Sequence, residues 1–179
     1  MTVDTNFMSS TSQVHTDNRG NKLANQKELD EAYMGTAILH ARMSKARRSK
    51  VGACLVTRNG VCLTGFNGTP IGLPNNCENE VSRTYNVLTA QDEVILETKP
   101  EVIHAELNCI MKAAREGVSC LGGTMYVTLS PCVPCAAMMI NAGIVRLVYK
   151  ELYRDSQGID KLKEGGIIVE TFKGDLDEL

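Results

Sequence analysis

The sequence predicts an α/β domain of three layers, a sheet sandwiched between helices, on three observations. The second half of the chain alternates helical and strand-like runs, a pattern that buries a sheet beneath helices. Two apolar strand-like runs, 51–57 and 61–66, flank Arg58-Asn59-Gly60, and Asn-Gly is the strongest short-range hairpin signal. A length of 179 residues, with 43% hydrophobic and 22% charged, fits one globular unit with a core of its own. That unit is assigned to 25–179. Residues 1–24, polar and weakly patterned, read as a flexible arm, and no internal repeat is present.

The elements follow in order. From Gln26 to Arg47 a helical period places Leu29, Ala32, Tyr33, Thr36, Ala37, His40 and Met43 on one broad face. His40 on that face reads as a packing residue, because a lone histidine there is seldom a ligand. The 51–57 and 61–66 runs form an antiparallel hairpin at a sheet edge. Residues 67–102 are rich in Gly, Pro and Asn and then in charge, and a connection so long is an inserted functional loop, lid or subdomain. A helix over 104–116 stops at Gly117, and a strand covers 124–129. A helix over 134–142 carries Pro134 in its first turn and Gly143 after its end. Strand 144–149, helix 158–164 ending at Gly165, and strand 167–171 complete the chain.

Charge narrows the function classes. Nineteen Lys and Arg against 21 Asp and Glu give a net charge of −2, without the basic stripe by which proteins grip a nucleic-acid polyanion. The one compact cationic group, Arg47, Arg48 and Lys50, suits a single phosphate, which favours a small anionic substrate. No run is long and apolar enough for a membrane span, and the N-terminus resembles neither a signal nor a transit peptide, so a cytoplasmic location is expected. Seven cysteines cannot all pair. Cys54, Cys62, Cys109 and Cys120 sit in core-like patterns and read as buried thiols.

Cys132 and Cys135 read differently. Three residues apart at a strand–helix junction, they present both sulfurs on one side of a first helical turn. The helix N-terminus favours the thiolates that zinc binds. His104 adds a neutral imidazole, and two thiolates with one imidazole form a catalytic zinc set that leaves the fourth tetrahedral position open for water. A closed structural site needs another Cys or His. Cys109 lies about 140° around the helix from His104 and points elsewhere, whereas Cys77 and Cys120 stay open as fourth ligands. Glu106, two residues past His104, can take a proton from a water whose pKa zinc lowers from about 16 to about 7.

His-x-Glu followed by Pro-Cys-x-x-Cys is the signature of zinc nucleobase deaminases, with the glutamate as general acid and base. The segments His104-Ala105-Glu106-Leu107-Asn108, Gly123-Thr124-Met125-Tyr126-Val127-Thr128-Leu129-Ser130-Pro131-Cys132 and Gly65-Phe66-Asn67-Gly68-Thr69-Pro70 resemble the deoxycytidylate (dCMP) deaminases, phage-type members included, over about residues 26–172. The resemblance implies a three-layer α/β/α cytidine-deaminase-like fold around a central mixed five-stranded sheet. It implies one catalytic Zn2+ held by His104, Cys132 and Cys135, and Glu106 shuttling a proton while water attacks C4 of cytosine, releasing ammonia and dUMP for thymidylate synthesis. The Ala105 amide would contact the base carbonyl, and the Ser130 carbonyl would lie near the leaving amine. Asn67 would contact the sugar, and Tyr153 the nucleotide. Arg154, Arg48 and Lys50 are the phosphate candidates. The resemblance further implies a homohexamer activated by dCTP with Mg2+ and inhibited by dTTP. The effector pocket is sought in the 67–102 insertion, around Gly68, Pro70 and Gly72. A second, structural zinc, found in some phage members, is not expected, because no histidine lies between His40 and His104. The alternatives are a deaminase of dCTP or of free (deoxy)cytidine, and a catalytically silent zinc-binding regulatory module.

Overall fold

The computed structural model describes residues 25–86, 91–174 and 176; the expected arm, 1–24, lies outside them. Its elements are α1 (Gln26–Ala41), β1 (Gly52–Val56), β2 (Cys62–Phe66), β3 (Glu78–Asn86), β4 (Gln91–Thr98), α2 (Ala105–Glu116), β5 (Thr124–Leu129), α3 (Val133–Asn141), β6 (Arg146–Glu151), α4 (Gln157–Glu164) and β7 (Ile168–Thr171). Five strands form one sheet in the order β2-β1-β5-β6-β7. The β1–β2 and β1–β5 pairs are antiparallel, and the β5–β6 and β6–β7 pairs are parallel. The sheet is therefore mixed, and the hairpin predicted from Asn59-Gly60 supplies its edge strand β2, with Gly60 turning at φ +81°.

Side chains alternate along the strands and divide the core in two. Ala53, Leu55, Met125, Val127 and Leu147 pack against Ala105, Cys109 and Ala113 of α2, Ala136 and Met139 of α3, and Leu162 of α4. Cys54, Tyr126 and Val148 point to the opposite face, against Met34 and Ala37 of α1. Helices thus cover both faces.

The structure corrects several expectations. Helix α1 begins where a capping box forms between Asn25 and Glu28, but it ends at Ala41 rather than Arg47. The Ser44 hydroxyl donates to the Asn67 carbonyl at 2.8 Å and accepts from the Ala46 amide at 3.2 Å, which draws the chain out of the helix. Its buried face carries Met34, Gly35, Ala37 and Ala41, while Ala32 and Met43 are exposed. Small residues win here because β1 comes very close; a Cβ on Gly52 would stand 2.0 Å from the Ala37 carbonyl oxygen. Cys62 is exposed on the edge strand and Cys120 is half-buried, unlike Cys54 and Cys109. The inserted segment is no plain loop, since β3 and β4 form a separate two-stranded antiparallel sheet.

At the far end of the main sheet, Arg146 of β6 grips Asp30 of α1 through two bonds of 2.7 Å, and the Tyr126 hydroxyl donates to the same carboxylate at 2.8 Å. The two charged side chains are only 16% and 17% exposed. Burial works against the charge on Asp30, but the bonds from Arg146, Tyr126 and Gln26 outweigh it and hold the carboxyl below its usual range.

Candidate active site

Two helix N-termini converge at one end of the sheet. His104 is the N-cap of α2 and Cys132 the N-cap of α3, each with extended backbone and a side chain free of capping duty. Cys135 lies in the first turn of α3, after Pro134. The packing that holds these segments requires glycine twice. A Cβ on Gly65 of β2 would meet the Ala105 carbonyl oxygen at 2.4 Å, and one on Gly158 of α4 would meet the Pro131 carbonyl oxygen at 1.9 Å. Strand β2 and helix α4 thereby press directly on the two turns that carry His104, Cys132 and Cys135. Paired hydrogen bonds between Gly68 and Ile103 tie the loop after β2 to the residue before His104.

The donor atoms of His104, Cys132 and Cys135 all lie within 4.8 Å of one another, the one such grouping among the described residues. The sulfurs stand 3.5 Å and 3.4 Å from His104 Nδ1. A tetrahedral zinc with bonds of about 2.3 Å to sulfur and about 2.0 Å to nitrogen sets these edges at about 3.5 Å. The residues therefore fit a zinc ion in donor chemistry and in spacing. Cys109 packs in the core and Cys120 is not in the group; Cys77 is buried in the cleft wall but also lies outside it.

Charges crowd the corner. The Cys132 thiol is drawn down to about 4, first by its hydrogen bond with Cys135 and, against burial, by that with His104. The Cys135 thiol is driven up by the same pairing and by burial. His104 is raised, chiefly by its bond to Cys132. Glu106, 3% exposed in the first turn of α2, is raised above the usual carboxyl range by burial.

A cleft opens beside these groups, lined by His104, Glu106, Cys132, Ser130, Asn67, Tyr153 and Arg48, together with Cys77, Glu78 and Thr98 from the base of the β3–β4 ribbon. Ala105 is fully buried at the first position of α2, where an amide lacks an intrahelical acceptor. The Ser130 hydroxyl accepts from the Tyr153 amide at 2.8 Å, setting Tyr153 in the wall. Asn67 lines the cleft while its side chain accepts from the Val51 amide at 2.9 Å and donates to the Ser49 carbonyl at 2.8 Å. It braces the arm that carries Arg48, whose guanidinium donates to Thr98 at 2.9 Å. The other two expected phosphate cations are set apart. Lys50 is exposed outside the cleft lining, as is Arg154, which lies over the Tyr153 ring at 4.9 Å. Of the loop residues Gly68, Pro70 and Gly72, none lines the cleft. Sequence reasoning missed Glu78 and Thr98, although the β-branched and aromatic residues Val81, Thr84, Tyr85, Val94 and Ile95 signal the two strands that deliver them.

Comparison with known proteins decides the family. The description "Cytidine and deoxycytidylate deaminase zinc-binding region" matches residues 27–151. The chain belongs to this family. It is 35% identical to the deoxycytidylate deaminase of Enterobacteria phage T4 over 162 residues, 74% of this chain and 84% of that one. It is 40% identical to the deoxycytidylate deaminase of Homo sapiens over 132 residues, 72% of this chain and 68% of that one. A crystal structure of the dCMP deaminase of cyanophage S-TIM5, in complex with dCMP and dUMP, superposes with a TM-score of 0.69 at 37% identity, covering 83% of this chain and 99% of that chain. Among the described residues, no helix is long and apolar enough to cross a membrane.

Proposed function

We propose that this member of the family is a zinc-dependent hydrolase that converts dCMP and water to dUMP and ammonia. The observation that carries the reading is the buried Glu106 carboxyl beside a three-ligand metal corner, at the floor of a cleft with a cation in its wall. His104, Cys132 and Cys135 hold the ion, and bound zinc supplies Lewis-acid activation of water at neutral pH. Glu106 takes the proton of the water that attacks C4, delivers it to N3, and passes a proton to the 4-amino nitrogen as the C4–N bond breaks. Burial raises the Glu106 carboxyl above its usual range, which suits a group that must both accept and return a proton.

The Ala105 amide faces the base carbonyl, and the Ser130 carbonyl lies beside the departing amine. Arg48 is the best placed of the three cations for the 5′-phosphate, since it alone lines the cleft. The resemblance supports a homohexamer in the cytoplasm, with dUMP supplied to thymidylate synthesis. It also supports activation by dCTP with Mg2+, inhibition by dTTP and an effector site in the inserted segment. Steady-state rates on dCMP, dCTP and deoxycytidine test the substrate. The reading expects dCMP to have the highest kcat/KM, and deoxycytidine as the best substrate refutes it.

A further inference from the structure

Glu78 opens β3 and is 5% exposed. Its Oε1 accepts from the backbone amides of Arg47 at 3.0 Å and Arg48 at 3.2 Å. Its Oε2 is enclosed and has no hydrogen-bond partner among the described residues. A buried acceptor left unpaired is destabilising, so such an atom calls for a donor supplied from elsewhere. Glu78 is among the residues lining the same cleft as Asn67, His104, Glu106 and Ser130, so a ligand there can supply it.

The chemistry of the ligand selects the donor. A carboxylate repels a phosphate and a base carbonyl, and the 4-amino group belongs beside Glu106. What remains on dCMP is one neutral donor, the sugar 3′-hydroxyl. We infer that Glu78 is a specificity-determining residue that accepts a hydrogen bond from the free 3′-hydroxyl of the substrate, an inference resting on the deaminase reading above. Because Oε2 is enclosed, the cleft wall must yield slightly as the ligand enters, within the side-chain adjustment common on binding. An esterified 3′ oxygen has no proton to give, and a phosphodiester there sets negative charge against the carboxylate. The site therefore takes free nucleotides and rejects those within a polynucleotide chain.

The probe is the 3′-fluoro analogue of dCMP, in which fluorine replaces the hydroxyl at nearly the same size and cannot donate. Titration calorimetry on zinc-loaded wild-type protein, run with dUMP and 3′-fluoro-dUMP as the turnover-inert counterparts of substrate and probe, should give a Kd about 10–100-fold weaker for the fluoro compound, the loss of one charge-assisted hydrogen bond. Glu78→Gln keeps a carbonyl for the Arg47 and Arg48 amides and turns an amide N–H toward the ligand, so the two Kd values should converge to within a few-fold. A merely structural clamp would weaken both ligands together and keep their ratio. Equal Kd values in the wild type, or an unchanged ratio in Glu78→Gln, overturn the inference. The same samples assayed for ammonia release from dCMP separate the two readings. Equal Kd values in a wild type that still turns over dCMP sink only the Glu78 role, whereas wild-type discrimination without turnover sinks the deaminase reading and leaves 3′-hydroxyl recognition standing.

Discussion

Two ends of the same sheet bury ionisable groups, and they do so in opposite ways. At the α1 end, Asp30 receives bonds from Arg146, Tyr126 and Gln26, so its charge is fully answered from within the chain. At the other end, His104, Cys132, Cys135 and Glu106 crowd together; the Cys132 thiol is drawn down and the Cys135 thiol driven up, while His104 and Glu106 are both raised. The first arrangement answers its charge from within the chain; the second is a donor set that fits a metal ion. A buried pair answered internally is costly to break from one side, whereas clustered, perturbed groups beside a cleft mark a candidate site for chemistry.

The largest expected effect separates these roles at the catalytic end. Glu106→Gln should lower kcat for dCMP by about 10²–10⁴-fold, because it removes the proposed proton carrier. Its melting temperature should stay the same or rise. The Glu106 carboxyl is raised in the folded chain by burial, so its ionisation near neutral pH opposes folding, and the amide removes that opposition. A wild-type rate of ammonia release from this variant would break the comparison.

Arg146→Ala should do the reverse. Leaving Asp30 without its guanidinium should cost about 2–3 kcal/mol in urea unfolding, with kcat per folded molecule unchanged. The pH dependence follows from the lowered Asp30 carboxyl. Its contribution to stability is fully present above the ordinary value of 3.8 and is lost as pH falls through the lower folded value. Wild-type stability should therefore decline on the acid side by more than that of Asp30→Asn, which carries no such titration. Parallel acid declines would contradict the assignment.

Gly158→Ala probes the packing behind the cysteine turn. A methyl group set 1.9 Å from the Pro131 carbonyl oxygen must push that turn aside. Zinc affinity, measured by competition with a chelator, should fall about 10–100-fold, as when groups that orient metal ligands are altered. The smallest effects lie at the cleft mouth. Arg48→Ala should raise KM for dCMP about 10-fold and leave deoxycytidine unaffected, while the exposed Arg154→Ala should change KM by less than about threefold. Equal effects of the two substitutions would reassign the phosphate contact.

The legible part of this protein is the part written in short spacings. Cys132 and Cys135 share a helical turn, Glu106 follows His104 by two residues, and Asn59-Gly60 encodes its own hairpin. Each of these is a local geometry that the fold leaves intact. The extent and buried face of α1 were not legible, because they depend on how closely Gly52 lets β1 approach and on the pull of Ser44 toward Asn67. Glu78 was invisible for the same reason. Nothing in its neighbourhood marks it, and its two oxygens acquire meaning only when β3 lies against the Arg47–Arg48 backbone, 30 and 31 residues away in sequence. Arg154 and Lys50 show the converse, since a cation's type says little about which way the cation faces.

X-ray absorption at the zinc edge of the metal-loaded protein tests the three-ligand corner most directly. The account predicts two sulfur scatterers at about 2.3 Å, one imidazole nitrogen at about 2.0 Å and one further oxygen from water. A shell of four protein sulfur and nitrogen ligands with no oxygen would contradict it, leaving no position at which Glu106 could serve a reacting water.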